Sequence, residues 1–173
     1  MKVITFSRFF PTKHPRKGEP TYFVEKIWAG LADKTDRMQG DVDMDWGEYY
    51  NGVPKWHTIR AGNRWKVGDF FSPRFWSGKP YASKQSLITE PIEIKKIWNF
   101  EIIKDGYCLN GTLIGLTELT EIAKNDGLSA DDFELWFAIH PSAKNNNFAG
   151  QILCWNEDIN YYPPSHPQDN NIK

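Results

Sequence analysis

Residues 52–84, GVPKWHTIRAGNRWKVGDFFSPRFWSGKPYASK, carry the turn and strand signals from which the rest of the chain can be laid out. Trp56 to Arg60 is rich in β-formers and reads as a strand, and Ala61 to Arg64 reads as a turn. Val67-Gly68-Asp69 then turns the chain into a second strand, Phe70 to Phe75. Two tight returns in so short a span require antiparallel pairing. The same stretch gathers seven cations (Lys55, Arg60, Arg64, Lys66, Arg74, Lys79, Lys84) against one acid, Asp69, in a chain whose formal net charge is -1. Seven aromatic residues interleave with them, Trp56, Trp65, Phe70, Phe71, Phe75, Trp76 and Tyr81. Cations that meet phosphates and rings that stack on bases are what a nucleic-acid groove needs.

Working outward, Val3 to Phe6 reads as a strand. Pro11 to Pro20, with Lys13, His14, Arg16 and Lys17, reads as a basic extended loop, either solvated or a second arm toward phosphate. Thr21 is placed to cap a helix that buries Phe23, Ile27 and Leu31 and ends near Gly30. Residues 31–51 read as an insertion, acidic through Asp33, Asp36, Asp41, Asp43, Asp45 and Glu48; it suggests a flap over the basic cleft. Its Asp41-x-Asp43-x-Asp45 spacing opens like a calcium loop but lacks the closing Glu, so no metal site is expected.

Downstream, Ile92 to Ile102 reads as one long strand whose apolar alternation changes parity between Ile94 and Ile97, which predicts a bulge or bend. Asp105-Gly106 leads into a strand from Tyr107 to Leu109. Leu116, Leu119, Ile122 and Ala123 mark a helix capped by Thr117 and stopped at Asn125-Asp126-Gly127. Ser129 with Asp132 opens a further helix, burying Phe133, Trp136 and Phe137, and Phe148 to Trp155 is the last strand. Five or six strands and about three helices give an α+β fold, a small, partly open antiparallel β-barrel in one domain over residues 1–155. Residues 156–173, with three prolines, read as a loose tail.

Eight Trp in 173 residues exceed what a core of this size needs, leaving some for a binding surface. Cys108 and Cys154 read as buried thiols rather than metal ligands or a disulfide framework. No long apolar run and no signal-peptide pattern occurs, so a monomer without membrane contact is expected, in the cytoplasm and with no cofactor.

Alternation along a strand puts Thr58 and Arg60 on one face and Lys55 on the other, unless the bend at Pro54 carries Lys55 round. If they converge, Arg60 offers a planar fork, Lys55 a compact cation and Thr58 a hydroxyl; otherwise they are ordinary strand residues. Arg64, Trp65, Lys66, Arg74, Trp76 and Lys79 complete the candidate nucleic-acid-binding set, Trp65 and Trp76 being either base-stacking rings or barrel plugs. His57 reads as structural, and His14, His140 and His166 receive no role.

Gly52, Lys55, Thr58 and Arg60 followed by Gly68-Asp69 resemble the G-x-K-x-x-T-x-R … G-D signature of ASCH domains, which are related to PUA domains. The resemblance includes the opening strand and first helix, omits residues 31–51, and resumes through Trp155. It implies RNA or modified-nucleoside binding. For some members it implies an amidohydrolase that removes the acetyl group of N4-acetylcytidine, with Lys55 and Thr58 matching the family's catalytic Lys and Thr. The family's Glu is replaced here by Asp126, one methylene shorter. Metal-independent ribonuclease activity, or a protein-interaction domain using the acidic insertion, are the other classes considered.

Overall fold

The computed structural model describes residues 1–32, 53–138 and 147–163, and shows an α+β protein with nine strands and three helices among them. The acidic insertion apart from its first two residues, Gly52, His140 and the tail beyond residue 163 with its His166 lie outside the described residues. The first sheet contains β1 (Lys2–Thr5), β3 (Phe70–Trp76), β4 (Gln85–Leu87) and β5 (Ile92–Glu93), with β1 parallel to β3 and the other pairings antiparallel. The second is antiparallel throughout, in the order β2 (His57–Ala61), β9 (Phe148–Cys154), β6 (Lys96–Ile103), β7 (Gly106–Leu109) and β8 (Thr112–Ile114). Neither sheet closes into a barrel, so the α+β class stands while the architecture is two open sheets. The antiparallel β2–β3 pair expected from the turn signals does not form: residues 62–69 carry the chain from one sheet to the other, β2 pairing with β9 and β3 with β1, β4 and β5.

The parity change between Ile94 and Ile97 has a definite cause. Ile94 still belongs to the first sheet's side, its N–H donating to Asp69 O and its carbonyl accepting from Gly68 N. One residue later, Lys95 N donates to Cys154 O of the second sheet. The single long strand expected from sequence is therefore two, β5 and β6, and the chain passes from one sheet to the other between them. The short strands β4 and β8, three residues each, have too few residues to announce a pattern.

The helices are α1 (Phe23–Ala32), α2 (Leu116–Asn125) and α3 (Ala130–Ala138). Thr21 Oγ1 accepts from Phe23 N at 3.3 Å, the cap expected for α1, and Ser129 Oγ accepts from Asp132 N at 3.1 Å at the start of α3. Thr117, by contrast, lies inside α2. Gly115 takes the cap position instead, its N–H donating to Glu118 Oε2 at 3.1 Å. Trp98, Phe71, Phe100 and Phe133 fill the core between sheets and helices. No helix of the described residues is long and apolar enough to cross a membrane.

Candidate functional site

Two glycines decide where the site lies. Gly127 follows α2 at φ +82°, with Gly127 N donating to Lys124 O and Leu128 N to Ala123 O. This paired closure is a Schellman cap; it reverses the chain and turns Asp126 inward. Gly30 lets α1 approach the segment before β2, since a Cβ there would lie 2.9 Å from Lys55 O and 3.1 Å from the Trp56 ring. Lys55 precedes β2 rather than belonging to it, and is tied by Lys55 N to Lys26 O and Trp56 N to Asn125 O. Freed from strand alternation, Lys55 reaches the same cleft as Thr58 and Arg60.

That cleft, about 470 Å³, is lined by Lys55, Thr58, Arg60 and Asp126, with Phe6 and Phe23 among its apolar walls. Lys55 is 1% exposed, and its Nζ donates both to Asp126 Oδ1 at 2.6 Å and to the Asp126 carbonyl. The ammonium also lies 4.4 Å from the centroid of the Phe23 ring. Burial pushes the Lys55 ammonium down to about 8, the Asp126 charge offsetting part of the loss. For Asp126, burial acts to raise the carboxyl, but Lys55 and then His57 outweigh it and the group is held below its ordinary value. Arg60 is lowered to about 10 by burial; its Nη2 donates to Thr5 O at 3.0 Å and its guanidinium sits 5.2 Å from the Phe6 ring centre.

Behind Asp126 runs a buried relay that the sequence reading missed. His57 Nδ1 lies 3.6 Å from Asp126 Oδ1, His57 Nε2 is 2.9 Å from Tyr161 Oη, and Asn125 Nδ2 donates to that same hydroxyl at 2.8 Å. Burial lowers the His57 imidazole, so it is neutral near pH 7. The carboxylate beside Nδ1 selects the tautomer with its proton there. Nε2 is left to accept the Tyr161 hydroxyl hydrogen. Asn125 and Tyr161 thus form a hydrogen-bonded chain that ends on His57, whose Nδ1 faces the Asp126 carboxylate without a hydrogen bond to it. Tyr161, expected in a loose tail, is only 7% exposed, with its ring centre 5.0 Å from that of Trp98. The available clue was the pair Tyr161-Tyr162 standing alone before the prolines.

Of the remaining candidates, Trp76 lines the cleft. Trp65 does not stack on a ligand: it is 3% exposed, its ring centre 6.2 Å from that of Phe71, and its backbone is clasped by the Gln151 amide through Trp65 N to Oε1 and Nε2 to Trp65 O. Of the two roles left open for it, stacking ring or interior plug, the structure shows the interior one, with Gln151 holding the chain inward. Arg64 and Lys66 are exposed at the β2–β3 turn, away from the cleft lining. Half-buried Arg74 donates through Nε to Ser72 Oγ, and exposed Lys79 belongs to the loop after β3. Neither belongs to the lining. From the basic loop, Lys13 lines the cleft, whereas Arg16 is turned to Glu19 and Asp132 at 2.7 and 2.6 Å. Among the described residues no three His, Cys, Asp or Glu side chains group closely enough to hold a metal ion. Comparisons with protein-family models, with curated proteins and with solved structures return no match.

Proposed function

We propose that the cleft binds a nucleoside unit, free or within RNA, in the manner of an ASCH- or PUA-like domain. The observation that carries this reading is the convergence of Lys55, Thr58, Arg60 and Asp126 on one cleft of about 470 Å³ walled by aromatic rings. Phe6 and Phe23 supply apolar and π surface for a planar ring. Arg60 supplies a fork of donors for a carbonyl or phosphate oxygen. Asp126, held ionised, accepts from an exocyclic amine. Calorimetric titration with cytidine, N4-acetylcytidine, the other ribonucleosides and their monophosphates tests the reading. Saturable binding that is lost in Arg60→Ala supports it, and heat of dilution alone for every ligand overturns it.

A second reading is favoured by one observation, a depressed Lys55 ammonium in the cleft that Thr58 also lines. With a value of about 8, about a tenth of Lys55 is neutral at pH 7. In that form Nζ takes the Thr58 hydroxyl proton as Oγ adds to the acyl carbon of an N-acylated base. The tetrahedral intermediate collapses, the C–N bond breaks, and the proton on Lys55 passes to the leaving amine. Water then hydrolyses the acyl-threonine, releasing the carboxylic acid. Release of cytidine and acetate from N4-acetylcytidine, absent in Lys55→Ala and Thr58→Ala, is the expected result. The shorter Asp126 makes Asp126→Glu a rate-raising change if reach alone limits turnover. Intact substrate after prolonged incubation with both the native chain and Asp126→Glu rejects hydrolysis and leaves binding.

A further inference from the structure

At the mouth of the cleft stands a feature that the inner residues do not explain. Tyr81 is 91% exposed, yet its backbone is held at φ +64°, a conformation costly for a bulky side chain. The loop that holds it is closed by its own bonds. Ser77 N donates to Lys84 O at 2.9 Å, Ala82 N to Lys79 O at 3.1 Å, Gly78 N to Ser83 Oγ at 3.0 Å and Ser83 Oγ to Lys79 O at 3.0 Å. None of these bonds involves the Tyr81 side chain, so the ring is presented outward rather than used to build the loop. Its centre lies 5.3 Å from that of Trp76, and both rings line the cleft that contains Lys55 and Arg60.

The surroundings define what such a ring would meet. No acid occurs between Asp69 and Glu90, and exposed Lys79 and Lys84 flank the tip. A solvent-facing aromatic between two exposed cations suits a base with a phosphate on either side. Within this cleft Lys55, Thr58 and Asp126 are buried, whereas the Tyr81 ring stands at the exposed rim.

We infer that the Trp76–Tyr81 pair forms an outer stacking subsite for the nucleobase that neighbours the one in the cleft, so that the ligand is a base within single-stranded RNA rather than a free nucleoside. This rests on the nucleoside-binding reading above and adds a second, separable contact. Stacking of one base on an aromatic side chain strengthens binding by roughly five- to a hundredfold.

The probe is a tetranucleotide of RNA carrying 2-aminopurine beside the base that enters the cleft, compared with the corresponding nucleoside monophosphate. The tetranucleotide should bind at least about tenfold more tightly, with 2-aminopurine fluorescence quenched on stacking. In Tyr81→Ala the ratio of the two affinities should collapse toward one and the quench should vanish. Tyr81→Phe should preserve both. Tyr81→Asn, which tolerates the left-handed backbone while removing the ring, should behave as alanine does and so excludes loop rearrangement as the cause. A tetranucleotide no tighter than the monophosphate, or a ratio untouched by Tyr81→Ala, overturns the outer subsite while nucleoside binding stands. Failure of both ligands to bind overturns the subsite together with the reading beneath it.

Discussion

The basic stretch from Lys55 to Lys84 contains two ends that obey different physics. At one end Lys55 is buried against Asp126, and Arg60 is packed over Phe6. At the other, Arg64 and Lys66 stand in solvent at a turn, where Lys2 bridges to Asp69 at 2.7 Å with much of both side chains exposed. By sequence these cations look like one patch. The fold makes the first a low-dielectric site in which each charge depends on a named partner, and leaves the second to interact through screened fields.

Removing one partner from the buried end should have the largest effect. Lys55→Met should destabilise the protein by about 3–5 kcal/mol in urea denaturation, because it strands the Asp126 carboxylate in the interior. Adding Asp126→Asn should recover much of the loss, and if the double variant is no more stable than the single, the charge pair is not the cause. Next in size, Tyr161→Phe removes the hydroxyl shared by His57 and Asn125 and should cost about 1–3 kcal/mol. Nitrogen NMR of His57 should also show the Nε2 signal shifted by loss of its hydrogen bond while the proton stays on Nδ1 beside Asp126; an unchanged Nε2 signal would break this link.

The pH response separates the two functional readings. Lys55 has a native value of about 8, below its ordinary 10.5, so the native state holds fewer protons than the unfolded chain between these values. Its contribution to stability therefore climbs as pH rises through that window, and below about 8 the cost of burying the cation is fully present. A hydrolytic rate that depends on neutral Lys55 should rise about tenfold per pH unit until about 8 and then level. Affinity that depends on Lys55 as a cation should instead fall above 8. At the exposed end, Arg64→Ala and Lys66→Ala should each change stability by less than about 0.5 kcal/mol. Each should shift RNA affinity only modestly and chiefly at low salt; a large effect from either would erase the contrast between the two ends.

Much of this was legible where a local rule governs the outcome. The caps at Thr21 and Ser129 and the stop at Asn125-Asp126-Gly127 each follow from a few neighbouring residues, whereas the expected β2–β3 pairing does not occur because the two strands belong to different sheets. Lys55, Thr58, Arg60 and Asp126 were singled out, and they line one cleft, although the pairing of Lys55 with Asp126 spans 71 positions and no periodicity predicts it. Tyr161 was misplaced for the same reason, and Trp65 was left open between a stacking ring and an interior plug. Their burial is decided by distant partners, Gln151 for one and His57, Asn125 and Trp98 for the other. The sheet assignment failed where strands were too short to show alternation, and where one apparent strand served two sheets.

The crossing of the chain between Ile94 and Lys95 bears on how a ligand would be felt. Thr5 and Phe6, at the end of β1, and Thr58 to Arg60 of β2 line the same cleft from different sheets, and the β5–β6 passage joins those sheets covalently. Opening either sheet alone pulls on the other through a linker of two residues, so the two should melt as one cooperative unit. Ligand binding should accordingly slow amide hydrogen exchange in Trp98 and Phe100 of β6, which do not themselves line the cleft, by the same factor as in β1.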